Sequence, residues 1–262
     1  MSDSKATELT PSIDPPPSFQ ESISADPPIF KTQFACMTLN MLDRIRLINF
    51  TEVDVQAVKQ VIKTRWRPGL VQTRPYGDST EIWVRGRPWM YESNGNDDAR
   101  RLLLWILECL FDLGWVVQCS LDITKKSESK DSLIFRKQDP VPPPCDWICI
   151  SFDNKDKLKI VDSPPKDLAD AILQTFIRDV RRREITPERF KLHIGVQPWD
   201  PVGTDTVATR LLLLRLIETL EKCGFTIYAT IGSKGENVEG AADLLICQRG
   251  KDWVPGAPIW HR

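Results

Sequence analysis

Arginine carries most of the chemistry this sequence could perform. Arg178, Arg181, Arg182, Arg183, Arg189 and Lys191 fall in one short stretch, interleaved with Asp179, Glu184 and Glu188. Arg65-Trp66-Arg67 and Arg85-Gly86-Arg87 add guanidinium groups close to aromatic residues. Arginine presents a planar fork of donors that fits phosphate and carboxylate, and its plane stacks on aromatic rings. On an open sheet that combination suits single-stranded nucleic acid, through phosphate contacts and base stacking. The interleaved carboxylates partly cancel the field, and cations are also favoured at an ordinary helix C-terminus. Two further arginines, Arg100 and Arg210, are placed in the first turn of predicted helices, where a cation opposes the helix dipole. Each needs a carboxylate or loop carbonyls beside it. The plainer reading is pairing within the fold; the functional reading is two anion sites, one on each helix.

Other chemistries have weaker footing. Cys145 and Cys149 have zinc-type spacing, but no second pair exists and the only histidines are His193 and His261. The run Gly232-Ser233-Lys234-Gly235-Glu236-Asn237-Val238-Glu239-Gly240 resembles a phosphate cradle. It lacks the Gly-Lys-Ser/Thr ending that leads into a helix, joins two predicted strands and carries two glutamates. No nucleophile elbow, paired-histidine zinc motif or dinucleotide fingerprint occurs. No catalytic, cofactor-binding or metal-binding residue is assigned, and no cofactor is expected.

The elements that must position these residues occur twice. Pro88-Trp89 returns as Pro198-Trp199, and at the same offset Arg100 meets Arg210, Leu102-Leu103-Leu104 meet Leu212-Leu213-Leu214, Glu108 meets Glu218 and Gly114 meets Gly224. Asp131-Ser132-Leu133-Ile134 then aligns with Asp243-Leu244-Leu245-Ile246. A shared order of breaker, aromatic, helix and strand is the signature of an internal duplication. Trp89, Trp199, Glu108 and Glu218 are therefore read as repeat framework, tryptophan bringing a large area to bury and one donor to satisfy.

Each copy reads as β-α-(β)β-α-β-β, an α+β unit with helices packed on a mainly antiparallel sheet; a ferredoxin-like core is one way to wire it. In the first copy, Arg44–Ile48 alternates as a strand, Asn49 or Thr51 caps a helix whose face is Val53, Ala57, Val58, Val61 and Ile62, and a hairpin turns at Tyr76-Gly77-Asp78. The loop Ser93–Asp98 caps a helix over 98–113 with a wide leucine stripe, ended by Gly114, and strands follow over 115–123 and 133–137. The second copy has an added strand at 147–152, then a strand at 157–161, helices at about 166–181 and 205–222, and strands near 190–196, 225–231 and 243–248. The expected organisation is a disordered Pro/Ser-rich tail over 1–33, a first repeat over 34–139, a Pro-rich junction over 140–145, and a second repeat with a C-terminal extension over 146–262.

Composition narrows the function classes. A net charge of −1 offers no global field for nucleic acid or for cationic partners. The seven cysteines are an odd set, several of them within apolar runs, and no secretory leader or membrane-length apolar stretch is apparent, so a cytoplasmic or nuclear setting is expected. The leading expectation is a non-enzymatic protein-interaction module, a monomer whose repeats form a pseudo-twofold pair with a partner-binding groove between them. Second is a nucleic-acid-binding module using Arg/Trp-rich surfaces. Third is an enzyme or small-ligand binder with its site between the repeats. No membrane partner is expected.

Overall fold

The computed structural model describes residues 32–90, 96–121, 123, 129–195, 197–232 and 244–259. The tail up to residue 31, the loop that follows Gly232 up to residue 243, the first half of the Ser93–Asp98 cap and His261 lie outside the described residues.

Local pattern sets the elements of the first repeat. Phe34–Asn40 (β1) and Arg44–Ile48 (β2) alternate, with Ala35, Met37, Leu39, Ile45 and Leu47 buried on one face. Thr51 rather than Asn49 caps the helix Glu52–Arg65 (α1), in a capping box with Asp54. That cap sets the helical phase, so Val55, Val58 and Ile62 face the core, while Val53 is exposed instead of belonging to the apolar face. Leu70–Tyr76 (β3) and Ser79–Val84 (β4) form the expected hairpin, with Gly77 at φ +55° in the turn. Asp97–Asp112 (α2) starts at an Asn96 cap, and Trp115–Leu121 (β5) and Ser129–Lys137 (β6) close the repeat.

The second repeat follows the same order: Cys145–Asp153 (β7), Lys157–Val161 (β8), Lys166–Thr175 (α3), Val180–Thr186 (β9), Arg189–Ile194 (β10), Asp205–Lys222 (α4), Thr226–Ile231 (β11) and Leu244–Gly250 (β12). The chain is thus α+β and tandemly duplicated, each copy reading β-β-α-β-β-α-β-β. Two strands go beyond the sequence reading. β1 precedes the first predicted strand. β9 takes residues assigned to the end of the 166–181 helix, which stops at Thr175 because Val180–Thr186 pairs with β10 and satisfies its backbone there.

Both sheets have six strands, every neighbouring pair antiparallel, in the equivalent orders β3-β4-β2-β1-β6-β5 and β9-β10-β8-β7-β12-β11. The β-α-β-β-α-β core of a ferredoxin-like order is present as β2-α1-β3-β4-α2-β5, opened by insertion of β1 and β6 between β2 and β5. Registers correspond as well: Cys36 faces Ile48 as Cys149 faces Val161.

The layers stack head to tail. One core joins the first sheet (Met37, Ile45, Ile82, Phe135) to α1 and α2, and continues through α2 to one face of the second sheet (Cys149, Val161, Ala229, Ile231, Leu244, Ile246). The opposite face of that sheet (Ile148, Ile150, Leu158, Ile160, Phe190, Leu192) packs on α3 and α4. The sequence is sheet, helices, sheet, helices. This replaces the expected pseudo-twofold pair: a twofold axis brings like surfaces together, whereas here the helix of one repeat meets the sheet of the next. The space between the repeats is filled by α2 rather than left as a groove. At one edge the sheets converge, and the amide of Val117 donates to the Tyr228 hydroxyl at 2.9 Å.

Candidate functional site

Arg100 and its neighbours form the most elaborate polar cluster, and it is a joint. Arg100 reaches from α2 to Asp153 at the end of β7, with Nη1–Oδ2 at 2.9 Å and a second contact from Nη2 to Oδ1. Lys159 on β8 lies 2.6 Å from Asp97 and 3.0 Å from Asp153. Arg101 beside it binds Asp162 through Nε and Nη2, at 2.9 and 2.6 Å. Burial pushes the Arg100 guanidinium down, but the Asp153 hydrogen bonds and charge outweigh it and hold the group above its ordinary value. Arg189 adds a contact to Asp97 at 3.4 Å, so three cations close on two carboxylates, each paired within the fold. Of the two proposed readings of Arg100, the structure shows pairing within the fold.

Arg210 does not share that environment. It is exposed, and its Nη1 donates to the Thr206 carbonyl one turn earlier, at 2.7 Å. What does repeat is the framework. The indole N–H of Trp89 donates to the Arg44 carbonyl at 3.1 Å, and that of Trp199 to the Lys157 carbonyl at 3.0 Å, at matching registers. Gly114 and Gly224 both end a helix at positive φ (+86° and +81°), with Gln138 and Trp253 packed where a Cβ would stand. Glu108 lies 3.5 Å from Arg65, and Glu218 is exposed on α4.

The second repeat leaves a helix face uncovered. Positions 97, 100, 101, 104, 107 and 111 of α2 lie toward the second sheet; their counterparts on α4 are Val207, Arg210, Leu211, Leu214, Ile217 and Glu221. Leu104 is 6% exposed and Leu214 55%; Val207 and Leu211 are also more than half exposed.

At the other end, the outward face of the first sheet carries a cluster that sequence reasoning missed. Glu81 on β4 is 1% exposed and accepts from Arg46 Nε (2.9 Å), Arg74 Nε (3.0 Å) and Trp83 Nε1 (2.8 Å). Burial alone would raise its carboxyl; these donors win and hold it below the usual glutamate range. Arg44 stacks 3.4 Å over the Trp83 ring and Arg46 3.9 Å over Tyr76. The alternation Arg44, Arg46 on β2 with Glu81, Trp83 on β4 is visible in the sequence, but only the strand pairing shows that they share a face.

Arg181, Arg182 and Arg183 do not converge. All three are exposed on edge strand β9; Arg182 pairs with Glu184 at 3.2 Å, and Arg181 lines a cavity. That cavity, of about 350 Å³, is bounded by Asn154, Lys155, Asp156, Arg181, His193 and Gln197. It opens where repeat 1 places the Trp83 and Arg44 stack, because His193 and Lys157 occupy those registers. His193 Nδ1 lies 3.0 Å from Asp156 and Nε2 3.7 Å from Glu184. A polar or anionic small molecule could lodge there, but no serine, threonine or cysteine lines it to act as nucleophile.

None of the seven cysteines forms a disulfide. Cys145 and Cys149 are four residues apart on one strand, about 13 Å, too far to share a metal. Burial raises the Cys149 thiol to about 12, the opposite of a reactive thiolate. Among the described residues, no group of three or more His, Cys, Asp or Glu is placed to hold a metal ion, and no helix is long and apolar enough to cross a membrane.

No characterised protein and no solved structure matches the chain. A family model for a single domain does, over residues 33–136 and again over 146–248, in step with the two sheets. The chain therefore belongs to that domain family, as a tandem pair of its domains.

Proposed function

We propose that the protein is a non-enzymatic intracellular interaction module, and that the uncovered face of α4 takes a protein partner. One observation carries this reading: the helix face that repeat 1 buries beneath a sheet is left open in repeat 2 with Val207, Leu211 and Leu214 each more than half exposed. Three large apolar side chains aligned on one helix are the kind of patch that marks a protein interface. The intrachain joint supplies the pattern for such a complex, an apolar helix stripe laid on a neighbouring surface with an arginine at its start. Seven cysteines without a disulfide suit a reducing compartment. The nucleic-acid reading loses support at the basic stretch, where Glu184 holds both Arg182 and Lys191.

The test is a photo-crosslinking residue at position 211, used in cells alongside a Leu211→Glu/Leu214→Glu variant. The expected result is a discrete crosslinked partner whose capture the variant abolishes, with melting temperature preserved. Equal capture by the variant and the unchanged protein would reject this face as the binding surface.

A further inference from the structure

A second docking face lies at the opposite end of the stack. We propose that the outward face of the first sheet binds an amphipathic helix of a partner protein, acidic in its first turn and apolar in its later turns. The proposal rests on the reading of the protein as an interaction module, but it concerns a different surface and a different partner chemistry.

The molecule contains the pattern for this contact. The equivalent face of the second sheet is covered by α2, with Arg100 at the start of the helix over Asp153 at the end of β7. Phe111 near the helix end packs edge-to-face on Trp147 at the start of β7, with centroids 5.2 Å apart. Matching the registers puts Asn40 where Asp153 lies, Arg46 where Lys159 lies, Arg44 where Lys157 lies and Phe34 where Trp147 lies. The carboxylate that receives Arg100 is thereby missing from this sheet, while the cation that binds Asp97 of α2 is kept, as Arg46 in place of Lys159. Glu81 is sealed beneath Arg46, Arg74 and Trp83, so a visiting helix meets guanidinium groups; Arg44 also holds Asp43 at 2.7 Å and Arg46 donates to Asn40 at 3.2 Å. Each guanidinium has five N–H donors, and Glu81 uses only some of them. The groups are already ordered by stacking on Trp83 and Tyr76, so little freedom remains to be lost on binding.

Carboxylates in a first helical turn are favoured by the helix dipole as well as by these arginines. The rest of the face matches the apolar half of α2: Phe34 and Leu121 are each more than two-fifths exposed, with Cys36, Ile48 and Ile134 between them. A second copy of the chain fits poorly. Its α4 would bring Arg210 to Asn40 and Arg46, with no carboxylate to receive it, which opposes head-to-tail growth of the stack. Nucleic acid also fits less well, because Arg44 and Arg74 lie over the Trp83 ring that a base would need for stacking.

The experiment uses the full chain and three fluorescent probes. The first is a helical peptide of the length of α2 with Glu at positions matching Asp97, Arg100 and Arg101, and Leu at those matching Leu104, Leu107 and Phe111. The second carries Lys in place of the three Glu, and the third is an oligothymidine. The Glu peptide is expected to bind at least about tenfold more tightly than the Lys peptide, and Arg74→Gln and Arg46→Gln should each weaken it about fivefold. Arg74 is half exposed, so its variant should keep the fold even if loss of Arg46 unsettles Glu81. Equal binding of the two peptides, or indifference to both arginine variants, overturns the proposal. Tighter binding of oligothymidine that is lost in the same variants also overturns it, and assigns the face to nucleic acid. Leu211→Glu should leave Glu-peptide binding unchanged, so failure of the α4 reading registers separately.

Discussion

Helices α2 and α4 descend from one pattern and live in different surroundings. Arg100-Arg101-Leu102-Leu103-Leu104 is matched by Arg210-Leu211-Leu212-Leu213-Leu214. Leu102 and Leu212 are both buried against their own sheets. Leu104 and Leu214, on the far side, are 6% and 55% exposed, and Arg100 has a bidentate carboxylate where Arg210 has a backbone carbonyl. Identity at equivalent positions thus marks the face a helix turns to its own repeat. The face it turns outward depends on its place in the stack, and α2 lies between two sheets whereas α4 lies at an end.

The sharpest way to break this comparison is to remove the two arginines separately. Arg100→Ala takes two hydrogen bonds from the buried Asp153 carboxylate, leaving Lys159 beside it, and should cost about 2–3 kcal/mol. Arg210→Ala removes only an exposed contact and should fall within about 0.5 kcal/mol of zero. Urea unfolding of both variants would settle the difference; similar losses would mean that α2 is not held between the sheets.

The framework tryptophans should behave in the contrary way. Trp89→Phe and Trp199→Phe each delete an indole donor to the carbonyl of a central strand, and each should cost about 1–2 kcal/mol. Similar losses in the two variants sharpen the claim of a shared skeleton; a loss at only one would show that the second copy no longer depends on it.

The smallest effect concerns acid. Glu81 has a folded-state value below its unfolded one, so its stabilisation is fully present above the ordinary glutamate value of about 4.3. It is lost as pH falls through the lower folded value. The equivalent position in repeat 2 is Lys191. Thermal melts of Glu81→Gln should therefore show a shallower loss of stability below about pH 4 than the unchanged protein. Parallel acid profiles would place the acid-sensitive group elsewhere.

Legibility followed range. Thr51, Asn96, Gly77 and Gly114 act within a turn or two of themselves, and the elements they bound could be read within a few residues. The helix end near 175 could not, because Val180–Thr186 becomes strand only through β10, whose own start lies beyond the intervening turn. Strand β1 was missed although it alternates cleanly, since the repeat offset carried no motif there. The Glu81 cluster illustrates the limit for sites: Arg46, Arg74 and Glu81 are ordinary strand residues until the order β3-β4-β2 puts them side by side.

By itself the sequence determined that the chain is a duplicated α+β pair, with its Pro-Trp corners, glycine helix ends and leucine stripes. Those features are periodicities and backbone preferences, and they act locally in either copy alike. Only the tertiary structure decided that the copies stack head to tail, that Arg100 is a joint while Arg210 is free of it, and that the two ends of the stack differ. These outcomes rest on contacts such as Arg100 with Asp153, 53 residues apart, and Val117 with Tyr228, 111 apart. Nothing in the local pattern of either partner encodes the other, so the energy that selects among stackings appears only when whole faces meet.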